Sequence, residues 1–303
     1  MHPEVTNQIQ ELREDRTHGA SWLARQALGA AMLTARTSEA RTVARLLEEL
    51  KAVTRELIEA KPSMASITNA VCRFVYEVAQ ESEQQVDLDS LKRFTQSRGE
   101  ELVKASEEAV AMIAQRASEL ISTDDKLFSC SYSSTVCHAL KVAKGASKDF
   151  SVLIAESKFG PGESFGGRAA EEIGAYGISV EIIPDEAIRR NMARVDKVLV
   201  GADSVLSDGS LINGTPSYEL ALAAKDNAVP FYVLCEKSKF NVRSHVGQEP
   251  EPEEGFDRVP AQLITGILTE EGMLGPEEVI HSIKEMERYI EILLPMGPEL
   301  DNP

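Results

Sequence analysis

The sequence predicts an α-helical domain over residues 1–122, followed by an α/β domain over residues 123–303 whose parallel sheet is doubly wound. Three observations predict this order. Apolar side chains recur at helical spacing from residue 4 to residue 121. After the polar segment 122–125, the pattern changes to short apolar runs that alternate with helical segments. Alternating strands and helices are typical of parallel sheets, so the second domain is predicted to be Rossmann-like.

The composition indicates a globular protein. The 303 residues are 43% hydrophobic, and no run approaches the roughly 18 apolar residues of a membrane helix. Residues 1–16 are charged throughout, unlike a signal peptide, so we expect a cytoplasmic protein without membrane contact. The net charge of -17 argues against direct nucleic-acid binding, because that binding depends on cationic side chains. The four cysteines lack metal-site spacing, and we expect reduced thiols, no metal and no cofactor.

The helical domain contains about four predicted helices. Breaks fall at residues 17–21, 60–63 and 84–88, where proline or hydroxyl side chains end one helix and cap the next. Residues 91–120 combine an apolar stripe with many Glu, Lys and Ala residues, so one long helix is predicted there.

The α/β domain is predicted to alternate six strands with five helices. The strands are residues 126–129, 150–155, 179–183, 197–200, 231–235 and 262–268, and the helices are 133–144, 166–176, 185–194, 218–226 and 276–294. Residues 241–260 are polar, acidic and rich in proline, and they are predicted to form a surface loop.

Polar side chains follow several of these strands at the edge where open parallel sheets bind ligands. Asp203, Asn213 and Glu236 all fall at strand ends, and Asp203 could transfer a proton if its pKa were shifted. Residues 129–135 carry several hydroxyl groups into a helix N-terminus, which suits a phosphate oxygen. Their alternative role is helix capping.

A glycine-rich segment, residues 156–168, leaves the second strand of this domain. Its four glycines would let the backbone approach a ligand closely, and Lys158 and Arg168 provide positive charge. The alternative is a flexible surface loop, because a lone glycine-rich segment is a weak signal.

Several motifs resemble those of the superfamily of the translation initiation factor 2B alpha, beta and delta subunits. The strongest are residues 201–204 (Gly-Ala-Asp-Ser), 211–213 (Leu-Ile-Asn) and 236–240 (Glu-Lys-Ser-Lys-Phe). This superfamily also contains ribose-1,5-bisphosphate isomerase and methylthioribose-1-phosphate isomerase. Residues 17–21 fall where those isomerases carry an Arg-Gly-Ala phosphate turn, so the resemblance covers most of the chain.

The residues and the resemblance together predict a site for a phosphorylated small molecule, either a sugar phosphate or a nucleotide. Its predicted contacts are His18, Gly19, Ala20, Ser131, Ser133, Ser134, Lys158, Arg168, Asn213, Gly214 and Lys239. Three of these depart from the isomerase pattern: His18 and Lys158 replace arginines, and Gly214 replaces a lysine.

The resemblance implies two competing functions. In the isomerases, a cysteine of a Thr-His-Cys turn and the aspartate of Gly-Ala-Asp move the proton. The aspartate corresponds to Asp203, but Ser131 takes the place of the cysteine and Cys130 lies one residue earlier. We therefore favour a factor 2B-like regulatory protein that binds its ligand without turnover. The alternative is an aldose–ketose isomerase that uses Asp203 and Cys130. Either function implies a homodimer or larger assembly, with partner subunits possible for the regulatory protein.

Overall fold

The computed structural model describes residues 1–15, 17–84, 86–158, 164–248 and 252–290. These residues form two compact units, one of residues 1–107 with 283–290 and one of residues 108–282. Within the described residues, no helix is long and apolar enough to cross a membrane. The boundary proposed from the sequence, between residues 122 and 123, stays a prediction.

The first unit is helical. Its helices are α1 (Pro3–Glu14), α2 (Ala20–Thr37), α3 (Val43–Ala60), α4 (Ala65–Ser82) and the first part of α5 (Leu88–Leu120). The alanine-rich face of α2 packs against α4, where Phe74 is fully buried. Thr42 caps α3 by accepting a hydrogen bond from the Arg45 backbone N–H at 3.2 Å, which satisfies one of the free N–H groups of the first turn.

Within the described residues, the second unit continues from α5 into ten strands and six further helices. In chain order these are β1 (Lys126–Ser129), α6 (Ser134–Gly145), β2 (Ser151–Ala155), α7 (Phe165–Ala175), β3 (Ser179–Ile183), α8 (Ile188–Met192), β4 (Lys197–Val200), β5 (Ser204–Val205), β6 (Leu211–Gly214), α9 (Ser217–Asp226), β7 (Phe231–Leu234), α10 (Val242–His245), β8 (Phe256–Val259), β9 (Gly266–Thr269), β10 (Gly272–Leu274) and α11 (Val279–Ile290). The last helix extends into the residues of the first unit.

The main sheet has the strand order β10-β9-β7-β4-β1-β2-β3. All of its neighbouring strands are parallel except β10, which pairs antiparallel with β9. The chain builds outward from β1 to β3 and then returns to the other side of β1 with β4, where Phe128 pairs with Val198. This reversal is the switch point of a doubly wound sheet, and ligands bind outside the strand ends there. The predicted fold class is confirmed.

A second, three-stranded antiparallel sheet was not predicted. It has the order β5-β6-β8, and it includes part of the segment 241–260 that was predicted to be a loop. That prediction is wrong for residues 242–245 and 256–259, which form α10 and β8. Strand pairing explains why β8 forms in a polar sequence. β8 is hydrogen-bonded to β6, with Leu211 paired with Val259 and Gly214 with Phe256, and this pairing holds it in an extended conformation. Residues 249–251 lie outside the described part.

Some predicted elements differ at their ends. The strand expected over 262–268 is β9, and a 3₁₀ turn, Ala261–Leu263, precedes it. The helix expected over 185–194 consists of a 3₁₀ turn, Asp185–Ala187, followed by α8. The closing helix begins with another such turn, Pro276–Glu278, and its predicted residues 291–294 lie outside the described residues.

Candidate functional site

Three chain segments meet at the switch point of the main sheet. A Cβ atom on Gly201, just after β4, would overlap Ser133 Oγ at the start of α6. A Cβ atom on Gly214, at the end of β6, would lie 2.5 Å from Ser131 Oγ. These glycines therefore permit close approach between the segments that follow β1, β4 and β6. The structure brings the predicted residues of these segments together.

The serines of the β1–α6 segment also build local structure. Ser133 caps α6 by accepting a hydrogen bond from Val136 N–H at 3.4 Å, and Ser134 is the first helical residue. Ser131 has a φ of 57°, and its N–H donates to Ser157 Oγ at 2.7 Å. The turn after β1 is thus hydrogen-bonded to the residues that follow β2, and the start of α6 lies at the same edge of the sheet.

Cys130 lies in the protein interior rather than in an open cleft. Its residue is 1% exposed, and its Sγ lies 3.2 Å from Ser217 Oγ. Ser217 donates its hydroxyl hydrogen to the Gly214 carbonyl at 2.6 Å and accepts from Asn213 Nδ2 at 2.8 Å. The thiol is therefore the donor in the contact with Ser217. Burial raises the pKa of Cys130 to about 12, so the sulfur keeps its proton near neutral pH.

Asp203 and Lys239 form the charged part of the site. The Asp203 backbone N–H donates to the Ile212 carbonyl at 3.0 Å, which holds the Asp203 backbone beside the small sheet. Removal from water raises the pKa of Asp203 to about 6, the Lys239 ammonium opposes this, and Glu253 adds to it. Lys239 is only 4% exposed and ends a 3₁₀ turn, Lys237–Lys239. Within the described ranges, its ammonium has no hydrogen bond or ion pair.

The raised pKa of Asp203 predicts a pH dependence of stability. Because the folded chain binds this proton more tightly than an ordinary carboxyl of pKa 3.8, the stabilisation is complete below about pH 4. It is lost as the pH rises through about 6. We expect the stability of the natural chain relative to Asp203→Asn to fall by roughly 1 to 3 kcal/mol between pH 4 and pH 7. Urea unfolding of both chains at each pH measures the difference, and a constant difference would contradict the assignment.

Lys158 and Arg168 already have partners. Lys158 Nζ is exposed and lies 2.9 Å from Glu156 Oε1. The Arg168 guanidinium lies over the ring of Tyr132, 4.1 Å from its centroid, and Tyr132 Oη donates to Glu172 Oε2 at 2.9 Å. Residues 159–163, which include two of the four glycines, lie outside the described residues. Phosphate binding by Lys158 and Arg168 stays a prediction.

The turn predicted to bind phosphate in the first unit is held by Asp15. The His18 backbone N–H and ring Nδ1 donate to the two carboxylate oxygens of Asp15 at 2.8 and 2.6 Å. Partial burial acts to raise the pKa of Asp15, but these hydrogen bonds and one from Thr17 hold it below its ordinary value. The His18 ring stacks on Trp22 at a centroid distance of 3.7 Å.

The next two residues of that turn begin a helix. Gly19 is the N-cap residue of α2, and the buried Ala20 is its first residue. Ser66 Oγ donates to the Ala20 carbonyl at 3.1 Å. Ligand binding by His18, Gly19 and Ala20 stays a prediction.

Comparison with known proteins identifies the family. Residues 16–255 match the Initiation factor 2 subunit family. The chain belongs to this family. A putative translation initiation factor eIF-2B subunit 2-like protein of Pyrococcus furiosus is 32% identical, and the match covers 91% of this chain and 98% of that protein. The resemblance inferred from the sequence motifs is confirmed.

Proteins similar to this Initiation factor 2 subunit family member include both translation factor subunit-like proteins and isomerases. A ribose 1,5-bisphosphate isomerase of Pyrococcus furiosus is 28% identical, over 93% of this chain and 94% of the isomerase. The tetrameric eIF2B-beta2-delta2 complex from C. thermophilum contains a chain with the same fold, at 21% identity and a TM-score of 0.79, which covers 93% of this chain and 94% of that one. Family membership alone therefore does not distinguish a regulatory subunit from an isomerase.

One buried group at the sheet edge was noted in the sequence but not predicted to be a site residue. Glu236 follows β7 and is 2% exposed, and its Oε1 atom has no hydrogen-bond partner. Its position at a strand end was the available signal. The missing partner could be seen only in the structure.

Proposed function

We propose that this chain is a factor 2B-like regulatory protein that binds a phosphorylated small molecule, a sugar phosphate or nucleotide, without turning it over. The observation that carries the proposal is the Lys239 side chain, which is 4% exposed and whose ammonium lies near Asp203 without an ion pair to the described part of the chain. A buried charge is costly unless it is paired, so a ligand anion is a suitable partner. The start of α6 adds backbone N–H groups at the same sheet edge, and such groups bind phosphate oxygens.

The geometry of the thiol supports binding rather than turnover. An isomerase-like proton transfer would need a group that exchanges its proton with the substrate. Cys130 is buried and donates its hydrogen to Ser217, and with a pKa of about 12 its thiolate fraction at pH 7 is roughly 10⁻⁵. Ser131 stands where the isomerases have cysteine, and an ordinary serine hydroxyl is a far weaker acid than a thiol.

One observation favours the alternative, an aldose–ketose isomerase. Asp203 has a pKa of about 6, and a carboxyl with such a pKa could act as a general acid or base near neutral pH. It would still lack an accessible thiol with which to exchange the proton, since Cys130 is 1% exposed. We therefore keep the isomerase as the second candidate.

A ligand screen combined with a product assay tests the proposal. We expect saturable binding of ribose-1,5-bisphosphate, methylthioribose-1-phosphate or AMP in thermal-shift and calorimetric titrations. Ligand at 100 times its dissociation constant should stabilise the chain by about 2.7 kcal/mol. NMR of the bound pentose phosphates should show no ketose product. Turnover that disappears in both Asp203→Asn and Cys130→Ser would establish the isomerase instead, and failure of all three ligands to bind would remove the proposal.

We further propose that the protein assembles with a second copy or with partner subunits. The support is its family membership and the tetrameric assembly of the C. thermophilum relative. Sedimentation that shows only a 33.1 kDa species at micromolar concentration would contradict self-assembly. The cytoplasmic location stays a prediction.

A further inference from the structure

Glu236 has a buried carboxyl group of which only one oxygen has a hydrogen-bond partner. Its Oε2 atom accepts a hydrogen bond from Ser238 Oγ at 3.1 Å, whereas Oε1 has no hydrogen-bond partner. Buried polar atoms in folded proteins nearly always have a partner, and an unsatisfied charged one is expensive. The contacts within the described residues give no structural reason for this cost. A hydrogen bond from a ligand donor to Oε1 would remove this cost.

A second acidic side chain lies near Glu236. Burial raises the pKa of the neighbouring Glu270 carboxyl, and the charge of Glu236 raises it further. Two acidic groups therefore lie near each other in a partly water-free region at the ends of β7 and β9. No group of three or more metal-ligating side chains occurs in the residues that the structure describes, so a metal ion is not the expected partner.

Glu236 is the N-cap residue of the 3₁₀ turn that Lys239 ends. The Lys239 backbone N–H donates to the Glu236 carbonyl at 2.9 Å. Both side chains act on the pKa of the buried Cys235 thiol, which burial raises to about 12, the Lys239 ammonium lowers and the Glu236 carboxylate raises further. The two side chains are buried and opposite in charge, yet they form no ion pair with each other. Each is thus free to bind a complementary group of one small ligand.

We propose that Glu236 Oε1 accepts a hydrogen bond from a hydroxyl group of the ligand whose phosphate is bound by Lys239. This inference rests on the proposed function, and it makes Glu236 the residue that distinguishes a phosphorylated sugar from a simple phosphate. The single turn between the two side chains favours a donor only a few bonds from the phosphate. A sugar hydroxyl fits that spacing, in a sugar phosphate or in the ribose of a nucleotide, whereas the exocyclic amine of adenine lies beyond the ribose.

Binding of two probes to matched variants tests the role of Glu236. The probes are ribose-1,5-bisphosphate and pyrophosphate, which lacks sugar hydroxyls. We expect Glu236→Met to weaken ribose-1,5-bisphosphate binding about 10-fold to 100-fold, the range for a lost hydrogen bond to a charged group. Pyrophosphate should bind equally well or more tightly, because the variant removes a negative charge. Glu236→Gln retains one acceptor oxygen and should recover part of the sugar-phosphate affinity.

The control variant is Glu271→Met, which removes a charge from the neighbouring turn. Glu271 is exposed and pairs with Lys237 Nζ at 2.8 Å, so the ratio of the two affinities should not change. An unchanged ratio in Glu236→Met, with affinity for both probes reduced equally or not at all, would overturn the proposal. Loss of AMP binding in Glu236→Met with ribose-1,5-bisphosphate affinity unchanged would assign the donor to the adenine amine and also overturn it. If the natural chain binds neither probe nor AMP, the proposed function fails as well.

Discussion

Lys239→Met should lower the affinity for ribose-1,5-bisphosphate by about 100-fold or more, because truncating one member of a buried charge pair costs several kcal/mol. The lysine is 4% exposed, and in the described part of the chain no carboxylate lies within ion-pair distance of its ammonium. Phosphate binding would therefore replace no existing bond of this side chain. Isothermal titration calorimetry of the natural chain and the variant measures the loss.

Lys237→Met is the matched control for this experiment. It removes the same charge from the same turn, but Lys237 Nζ already pairs with Glu271 Oε2 at 2.8 Å. We expect its affinity to stay within about 3-fold of the natural chain, since the Lys237 charge is already paired with a carboxylate and partly open to solvent. Equal losses in the two variants would show a general charge effect and contradict a specific role for Lys239. If Lys239→Met does not unfold cooperatively, Lys239→Gln provides a second variant with a polar side chain.

Gly166→Ala should destabilise the α/β unit by about 3 kcal/mol or more, because overpacking against backbone cannot be relieved by a change of rotamer. The added Cβ would overlap the carbonyl oxygen of Ala155 at the end of β2, and it would lie 2.9 Å from the Glu156 carbonyl oxygen. Relief would require α7 to move away from the sheet. Urea unfolding followed by circular dichroism measures the change in free energy.

Gly174→Ala is the control on the same helix. A Cβ on Gly174 meets no atom within 4 Å, so this change should stabilise the chain by about 0.5 to 1 kcal/mol through its effect on backbone entropy. A Gly166→Ala variant as stable as the natural chain would show that α7 does not depend on this close contact.

The sequence predicted six of the seven strands of the main sheet, because most of them are short apolar runs, but it did not predict the three-residue strand β10. The four residues of β4, for example, are almost entirely buried and follow a polar boundary. The small sheet could not be predicted in the same way. β5 has only two residues, and β8 is polar and partly exposed, so neither carries a clear period. Both strands are ordered by pairing with β6.

The site residues show the same difference between what position along the chain predicts and what only the fold reveals. Position along the chain placed Asp203 and Glu236 at strand ends, whereas the burial of Cys130 could be seen only in the structure. Contacts between distant side chains were not predictable. The Arg168 guanidinium lies over Tyr132, and Gly166 contacts the end of β2, although both residues belong to a segment interpreted as a ligand loop.

The burial of all four thiols makes the cysteines suitable reporters of local opening. Cys72 lies in the helical unit, and Cys130, Cys137 and Cys235 lie in the α/β unit, each at most 1% exposed. A thiol reagent can reach them only when the surrounding structure opens. The modification rate of each cysteine, resolved by mass spectrometry, therefore measures how often its own region opens, without any introduced label.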